Sequence, residues 1–362
     1  MKRRLVFKVL TAASLCCATG ARAQMPADDT IPVPAFQLEK KPLEKLYHVS
    51  LNYSMGYNIS ATFKHLGQFP TPGSDPGPAT GGTDHTYDNG YNRVDVTGNN
   101  HGGFQGTWYW GYRDASQISG DSLVMQSSSL ASAVDSKSTT RNPQQGMELT
   151  FGRELGGAKH GRWGLDGTFG FTDVTFEDKR TLTGNVNVIS DTYALNGILP
   201  PLAPYAQPSP KGPGPILSDA PSRATSTLVN GATISGSREL DAQLFGFKLG
   251  PYLEIPLNDF WALDLRGGLA LVEVNSEFTY HETTAIPGAG TFRSSGQGWH
   301  NELLVGGYAA ANLSHALNDS TRIFAGVQFQ DVGQYTQNLS GRKAVLDLGK
   351  SIFVAIGLSY SY

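Results

Sequence analysis

The C-terminal stretch Lys350-Ser351-Ile352-Phe353-Val354-Ala355-Ile356-Gly357-Leu358-Ser359-Tyr360-Ser361-Tyr362 decides the fold class. Every second residue from Ile352 to Tyr362 is apolar or aromatic, whereas most of the intervening residues are small or polar. Because successive side chains of a strand point to opposite sides, this pattern predicts a strand with one apolar face and one polar face. The strand ends on an aromatic residue at the last position of the sequence.

The same alternation recurs along the chain, first from Tyr47 to Phe63 and most cleanly in the second half. Strands of soluble proteins usually have about 5–6 residues, whereas a tilted strand that crosses a membrane needs about 9–11 residues. The pattern predicts about ten strands, at residues 47–63, 86–97, 103–113, 144–156, 161–178, 238–256, 260–282, 298–315, 320–336 and 349–362. If residues 122–131 and 225–235 are strands as well, the count becomes twelve.

Short turns alternate with long loops between the predicted strands. Tight turns are predicted at Asn258-Asp259 and Asn318-Asp319, and the long insertion at 179–237 has a proline-rich middle that cannot join a sheet ladder. This arrangement is typical of membrane barrels. The sequence therefore predicts an all-β, antiparallel up-and-down transmembrane β-barrel over residues 47–362, with periplasmic turns and extracellular loops. A soluble secreted β-protein that buries the same apolar faces in a sandwich is the alternative.

The N-terminus has the features of an export signal. A basic start is followed by a short apolar core and by Ala21-Arg22-Ala23, an A-x-A cleavage site, so residues 1–23 are predicted to be a signal peptide. Residues 24–46 are predicted to be a periplasmic tail. Cys16 and Cys17 are the only cysteines, so no disulfide framework is expected in the mature chain. No stretch is long and apolar enough to predict a transmembrane helix.

These features together resemble a bacterial outer-membrane β-barrel protein. The resemblance covers residues 47–362 and is one of general architecture, because no motif in the sequence selects a specific family. It implies a location in the bacterial outer membrane, contact with outer-membrane lipids, and recognition of the C-terminal strand by the barrel-insertion machinery. The chain has 31 acidic and 28 basic residues, and this balance argues against a nucleic-acid partner.

Charged residues fall on the inward-facing positions of the predicted strands. Mixed charges in a narrow barrel are expected to pair and fill it, while the open alternative is a narrow water-filled pore. The predicted lumen-lining residues are Glu148, Glu154, Asp166, Lys248, Glu254, Asp264, Arg266, Glu302 and Arg322. Aromatic residues at the strand ends are predicted to form the membrane girdle, namely Tyr47, Trp108, Trp110, Trp163, Trp261, Tyr360 and Tyr362.

No catalytic motif is present, so the chain is not expected to be an enzyme, and no cofactor or metal site is predicted. A rim enzyme remains the third hypothesis, because His281-Glu282, His300 and Asp84-His85 are expected at the extracellular rim. The leading prediction is an integral outer-membrane barrel that acts as a narrow pore or as a structural surface protein with a charge-paired lumen. The main alternative is a surface adhesin or recognition protein that uses the extracellular loops. The sequence does not identify a solute or ligand.

Overall fold

The computed structural model describes residues 46–69, 76–94, 106–136, 143–158, 161–206 and 214–362. The predicted signal peptide, nearly all of the predicted tail and residues 207–213 of the insertion lie outside the described residues. One short 3-10 helix, Ala115–Gln117, is present in the described part of the chain, where no helix has the length and apolar character to cross a membrane. The strands are β1 (Tyr47–Tyr57), β2 (Ser60–Lys64), β3 (His85–Tyr87), β4 (Gly90–Asn92), β5 (Gly106–Thr107), β6 (Trp110–Tyr112), β7 (Ile118–Ser119), β8 (Ser122–Leu130), β9 (Gln144–Ala158), β10 (Gly161–Asp178), β11 (Leu182–Ala194), β12 (Tyr205–Ala206), β13 (Leu217–Ser218), β14 (Ser222–Pro256), β15 (Trp261–Ile286), β16 (Gly290–Ala316), β17 (Thr321–Asp331), β18 (Gln334–Leu339), β19 (Arg342–Asp347) and β20 (Ser351–Ser361).

Eight of the described strands form a continuous ring of antiparallel pairs. In ring order they are β1, β20, β17, β16, β15, β14, β10 and β9, and β9 pairs with β1 again. The first and last strands of the ring therefore lie side by side. Val49 of β1, for example, is opposite Tyr360 of β20 on one side and Phe151 of β9 on the other.

The predicted count of ten or twelve strands is not confirmed. The described parts of segments 86–97 and 103–113 contain only short strands from β3 to β6, which pair with one another and with β12 and β13. Their alternating runs are too short to cross a membrane. Segments 122–131 and 225–235 do contain strand residues, in β8 and in the first part of β14, but both pair with β11 beside the ring.

The outer face of the ring changes from apolar to polar at a similar level on neighbouring strands. On β10 the outward residues run from Trp163 to Phe171 and are followed by Asp173, Thr175 and Glu177. The apolar part spans nine residues on β10, at 163–171, and eleven on β15, at 261–271, which is the length of a tilted membrane strand. We call it the apolar belt. The same change occurs at Phe245 to Gln243 on β14, Leu271 to Glu273 on β15, Leu303 to Asn301 on β16 and Phe329 to Asp331 on β17.

Strands β14, β15 and β16 continue well beyond the apolar belt. They have 35, 26 and 27 residues, respectively. Their extensions form a wall, and the small sheet of β2, β19 and β18 lies against its inner face. Phe63 of this interior sheet stacks on Phe278 of the wall with the ring centroids 5.6 Å apart. The interior above the belt is thus a hydrophobic core.

A second assembly continues from the wall, and we call it the head. It contains strands β3 to β8, β11 to β13 and residues 222–234 of β14. Its core is built from aromatic and aliphatic side chains that include Trp110, Tyr112, Tyr193 and Leu217. Within the proline-rich insertion, β12 and β13 add short strands to β6 and β5, although this segment was predicted to stay outside any sheet ladder.

Candidate functional site

The interior of the ring at the level of the belt is lined by paired charges. Lys248 on β14 is 4% exposed, and its Nζ donates to Glu148 Oε1 and to Gln328 Oε1, both at 2.6 Å. Glu148 lies on β9 and Gln328 on β17, so these contacts cross the lumen between strands that are not neighbours. A buried ammonium requires partners of this kind, because desolvation of an unpaired charge is costly.

A second ion-paired group surrounds Asp166 of β10, which is 1% exposed. Its Oδ2 is 3.3 Å from Arg266 Nε, and its Oδ1 is 3.1 Å from His48 Nε2. The imidazole ring of His48 also makes an edge contact with the Tyr252 ring at 5.1 Å between centroids. One carboxylate thus joins β15 and β1 to β10 through the lumen.

A third group lies nearer the end of the ring that holds the chain terminus. Glu254 Oε1 accepts hydrogen bonds from Arg162 Nη2 and Arg322 Nη1, both at 2.6 Å. Arg162 Nη1 also lies 3.5 Å from Glu154 Oε2. Asp264 is buried at the same end and lines the same small cavity as Glu254. The three groups together fill the belt level with cross-lumen pairs.

The structure brings eight of the nine predicted lumen residues to the interior of the ring. Glu302, the ninth, is exposed on β16, beyond the point where β17 stops pairing with that strand. Its alternation marks the inward face, but at its level the described part of β17 no longer pairs with β16 and does not cover it. Sequence reasoning missed His48 and Arg162 as lumen residues. Both share the inward periodicity of their strands, so the same alternation could have identified them.

The cavities between these ion pairs are small. Their volumes are about 40, 30 and 30 Å³, room for only a few water molecules each. The uppermost cavity has Glu148 and Lys248 on one side and Leu244, Val272 and Phe353 on the other. The last three belong to the hydrophobic core above the belt, so the polar and apolar layers of the interior are in direct contact.

An apolar layer lies above the ion pairs in the interior. Phe63, Phe278 and Tyr335, contributed by the interior sheet and the wall, are each 0% exposed. A water-filled path through this layer would leave inward side chains in contact with solvent. The layer also contains one buried charge cluster, in which Glu282 accepts from Arg238 Nε at 2.8 Å and from Arg342 Nε at 2.7 Å.

The structure does not bring the predicted rim residues together. His281 pairs with Ser295 and His300 with Ser276, so five residues separate the two histidines along the ladder, or about 16 Å. They also lie on opposite faces of the sheet. His300 stacks on Tyr335 with the ring centroids 5.8 Å apart. In the described part of the chain, no group of three or more His, Cys, Asp or Glu side chains could hold a metal ion.

His85, the remaining rim candidate, is fully buried in the head. Its Nδ1 contacts the Pro76 carbonyl oxygen, and its Nε2 lies 3.2 Å from the Asp219 carbonyl oxygen. Asp84, the preceding residue, lies 3.9 Å from Arg93 Nε and accepts from the backbone N–H of Val94 at 2.8 Å. These contacts connect two loops and give both residues a structural role.

The head is held by a buried polar network around Asp191, which is 0% exposed. Arg223 binds this carboxylate through two nitrogens at 2.7 and 2.6 Å, and the Tyr87 hydroxyl donates to it at 2.6 Å. The Tyr193 hydroxyl lies 2.8 Å from that of Tyr87. Burial raises the pKa of Tyr193 to about 12 and also raises the pKa of Tyr87. This network therefore joins β3, β11 and the start of β14 inside the head.

The predicted girdle residues fall into two groups. Tyr47, Trp163, Trp261, Tyr360 and Tyr362 lie on the outer face at the turn end of the ring, where the Tyr47 and Tyr362 rings stack at 5.9 Å. Trp108 and Trp110 do not belong to this group. Trp110 is 1% exposed in the core of the head, and its indole N–H donates to the Pro215 carbonyl oxygen. Trp108 lies two residues away in the same loop and is half-buried. An alternating aromatic face looks the same in sequence whether a lipid or a protein core covers it.

No protein-family model matches the chain, and no curated protein matches it significantly. Its structural neighbours are bacterial outer-membrane β-barrel proteins. The attachment invasion locus protein Ail of Yersinia pestis is 10% identical over 88% of this chain and 100% of its own, with a TM-score of 0.30. The outer membrane protease OmpT of Escherichia coli is 10% identical over 87% of this chain and 97% of its own, with a TM-score of 0.31. A Pseudomonas aeruginosa FadL homologue is 10% identical over 88% of this chain and 90% of its own, with a TM-score of 0.18. These structural similarities are low and identify no specific function for the chain.

Proposed function

We propose that this protein is an integral outer-membrane β-barrel with a closed interior, which holds the folded head outside the cell for recognition of a surface partner. One observation carries the proposal, namely the apolar layer that covers the ion-paired lumen. A pore needs a continuous polar path, whereas Phe63, Phe278 and Tyr335 fill this level and have no solvent exposure. In this proposal the barrel is neither a pore nor an enzyme.

The apolar belt supports the membrane location. Its height fits a tilted membrane strand, and aromatic side chains border it at the turn end. A closed barrel of eight strands has an interior that side chains can fill, as the ion pairs do here. The end with short turns is then periplasmic, and the wall and head are extracellular. The C-terminal strand β20 is the segment proposed to be read by the insertion machinery.

The head carries exposed apolar side chains that suit recognition. Leu199 is 89% exposed and Leu202 is 93% exposed, both beside prolines in the loop after β11. Trp299 on the wall is 75% exposed. Contiguous exposed apolar surface frequently marks a site of protein association, and Leu199 and Leu202 lie three residues apart in one loop of the head.

Conductance of the full-length refolded protein in a planar bilayer tests the closed interior. The expected result is no unitary current from protein whose folding is shown by heat-modifiable gel mobility. Reproducible current steps from the unchanged protein would show that the interior is open and would contradict the proposal.

Labelling of intact cells tests the orientation. The substitution Leu199→Cys places a thiol on the exposed loop, and a membrane-impermeant maleimide is expected to label it. The matched control is Leu257→Cys, which lies in the turn between β14 and β15 at the opposite end and is expected to react only after cell lysis. Both leucines are exposed. The reverse labelling pattern would contradict the proposed orientation.

Adherence of expressing cells to other cells and surfaces tests recognition. Deletion of residues 196–222 would also remove Leu217 from the core of the head, so point substitutions are sharper. The double variant Leu199→Asp/Leu202→Asp is expected to lose adherence while the head stays folded. The double variant Ala224→Asp/Ser226→Asp adds the same charge at exposed positions of the head and is expected to keep it. Equal adherence of both variants would remove the exposed loop as the recognition surface.

A further inference from the structure

The outer side of the wall contains an open cleft that the barrel architecture does not use. Its volume is about 620 Å³, much larger than the cavities inside the ring. The lining residues come from the connection after β10 and from β14, β15 and β16, at a level above the apolar belt. They are Lys179, Gly236, Ser237, His281, Glu282, Thr283, Arg293, Ser294 and Ser295.

Strand register places the polar side chains of the cleft next to one another. Ser237, His281 and Ser295 are directly opposite in one cross-strand row. Thr283 and Arg293 are opposite in the next row of the same face. Side chains opposite each other on one face of a sheet have their Cβ atoms about 4.5–5.5 Å apart. Hydroxyl, imidazole and guanidinium groups therefore converge on one patch of the wall.

Gly236 shapes the edge of this patch. Its φ of +133° is one that side-chain-bearing residues rarely adopt. A Cβ atom at this position would collide with the His281 carbonyl oxygen. The backbone of β14 therefore comes close to β15 beside the cleft, which places Ser237 in the row with His281.

The lining of the cleft contains two basic residues, Lys179 and Arg293, and one acidic residue, Glu282. Lys179 pairs with Glu177 at 2.5 Å, so these two charges cancel. Glu282, the only acidic residue in the lining, is held by the buried guanidinium groups of Arg238 and Arg342. Arg238 also lies 3.9 Å from the Asp178 carboxylate, so these buried charges balance. Arg293 then adds a cation at the opening.

The buried arginines retain unused hydrogen-bonding capacity. The Nη2 atoms of Arg238 and Arg342 are buried, and neither has a hydrogen-bond partner in the described part of the chain. Both side chains are at least nine-tenths buried. They are absent from the lining of the cleft, so they make no direct contact with an occupant, and Glu282 and Asp178 balance their charge. The charge of Arg293 at the opening favours an anion over a cation or a neutral molecule.

We propose that this cleft binds a phosphate or sulfate ester carried on a sugar. The Arg293 guanidinium would bind two oxygens of the anion, while the serine and threonine hydroxyls and the His281 ring contact the remaining anion oxygens and the sugar. A single oxyanion would leave most of the cleft empty, and the volume lies in the usual range of small-molecule sites, about 300–1,000 Å³. The assignment rests on the proposed function in that the wall must face the outside of the cell.

The test is calorimetric titration of the full-length refolded protein with glucose 6-phosphate, glucose 6-sulfate, glucose and inorganic phosphate. At least one of the two esters is expected to bind saturably, and glucose and inorganic phosphate more weakly. The substitution Arg293→Gln is expected to weaken ester binding by about tenfold or more, because it removes a charge-assisted pair of hydrogen bonds. The control Arg113→Gln removes an exposed arginine of the head and is expected to leave binding unchanged.

Two results would overturn the assignment. One is the absence of saturable ester binding by protein that migrates as a folded barrel. The other is an equal loss of affinity in Arg293→Gln and Arg113→Gln, which would indicate nonspecific attraction. Equal affinity for inorganic phosphate and for the esters would show that the cleft makes no contact with the sugar. The proposed function fails by different observations, namely current steps in the bilayer or labelling of the wrong end, and titration in detergent depends on neither.

Discussion

The two layers of the barrel interior are in contact, yet opposite chemistry fills them. At belt level, Lys248, Glu148 and Gln328 satisfy one another across the lumen. One layer higher, Phe63 and Phe278 pack with no solvent exposure. Ion pairs must first offset the desolvation of both charges, so they contribute little net stability, whereas apolar burial contributes about 25 cal/mol per Å². We infer that the ion pairs occupy the lumen and that the apolar layer stabilises its closure.

The largest effect is expected from a large-to-small substitution in the apolar layer. Phe278→Ala should lower the free energy of unfolding by about 3–5 kcal/mol, because it removes a buried ring and leaves a cavity. Urea titration of protein refolded into lipid vesicles measures this change. Phe260→Ala is the matched control, since Phe260 is 63% exposed in the turn between β14 and β15. A similar loss in both variants would show that the apolar layer contributes no special stability.

A smaller effect is expected in the polar layer. Lys248→Met leaves Glu148 without its cation and should cost about 2–3 kcal/mol, less than a fully buried broken pair because Glu148 is partly exposed. The double variant Lys248→Met/Glu148→Gln removes both charges and should regain most of this stability. The same urea titration measures all three proteins. A double variant as unstable as the single one would mean that the ion pair itself stabilises the barrel.

The smallest effect is expected at Asp178, at the top of β10 beside the apolar layer. Burial alone would raise the pKa of Asp178, but hydrogen bonds and charge from Arg180 outweigh it, and the pKa is lowered from its ordinary value of 3.8. A lowered carboxyl pKa adds stability above the ordinary value, and this stability is lost as the pH falls through the lowered value. Arg180→Gln should therefore reduce stability at pH 7 by about 1 kcal/mol or less.

The acid dependence checks the cause of that loss. The difference between Arg180→Gln and the unchanged protein should shrink as the pH falls below 3.8, because protonated Asp178 no longer attracts the guanidinium. Urea midpoints at neutral and acid pH measure this. A difference that stays constant over the same pH range would assign the effect of Arg180 to packing.

Alternation along the strands predicted the parts of the fold that depend on local backbone geometry. Because side chains of a strand alternate between two faces, inward residues such as Asp166 and Arg266 could be assigned without knowledge of their partners. The odd or even position of a residue along its strand also identifies the apolar belt on β10 and β15. Glu302 shows the limit of the alternation pattern. The pattern gives the face on which a residue lies, but not whether a neighbouring strand covers that residue.

Strand count and the aromatic girdle were less predictable. Segments 86–97 and 103–113 show aromatic and polar residues in a pattern that would suit a short crossing strand. Their described residues Tyr87, Trp110 and Tyr112 instead enter the core of the head. There Trp110 meets Tyr205 from the proline-rich insertion, with the ring centroids 4.9 Å apart. Almost one hundred residues separate these two positions in the chain, so no local window of sequence contains the contact that decides the outcome.

The sequence by itself determined the β class, the strand faces and the charged lining of the lumen, because each follows from a two-residue period. Only the tertiary structure decided what lies above the ion pairs. The interior sheet combines β2 near the N-terminus with β18 and β19 near the C-terminus. It packs on the wall, whose strands β14 to β16 lie between them in the sequence. Apolar burial has no direction and no sequence range, so the contacts that build this apolar layer depend on how the whole chain assembles.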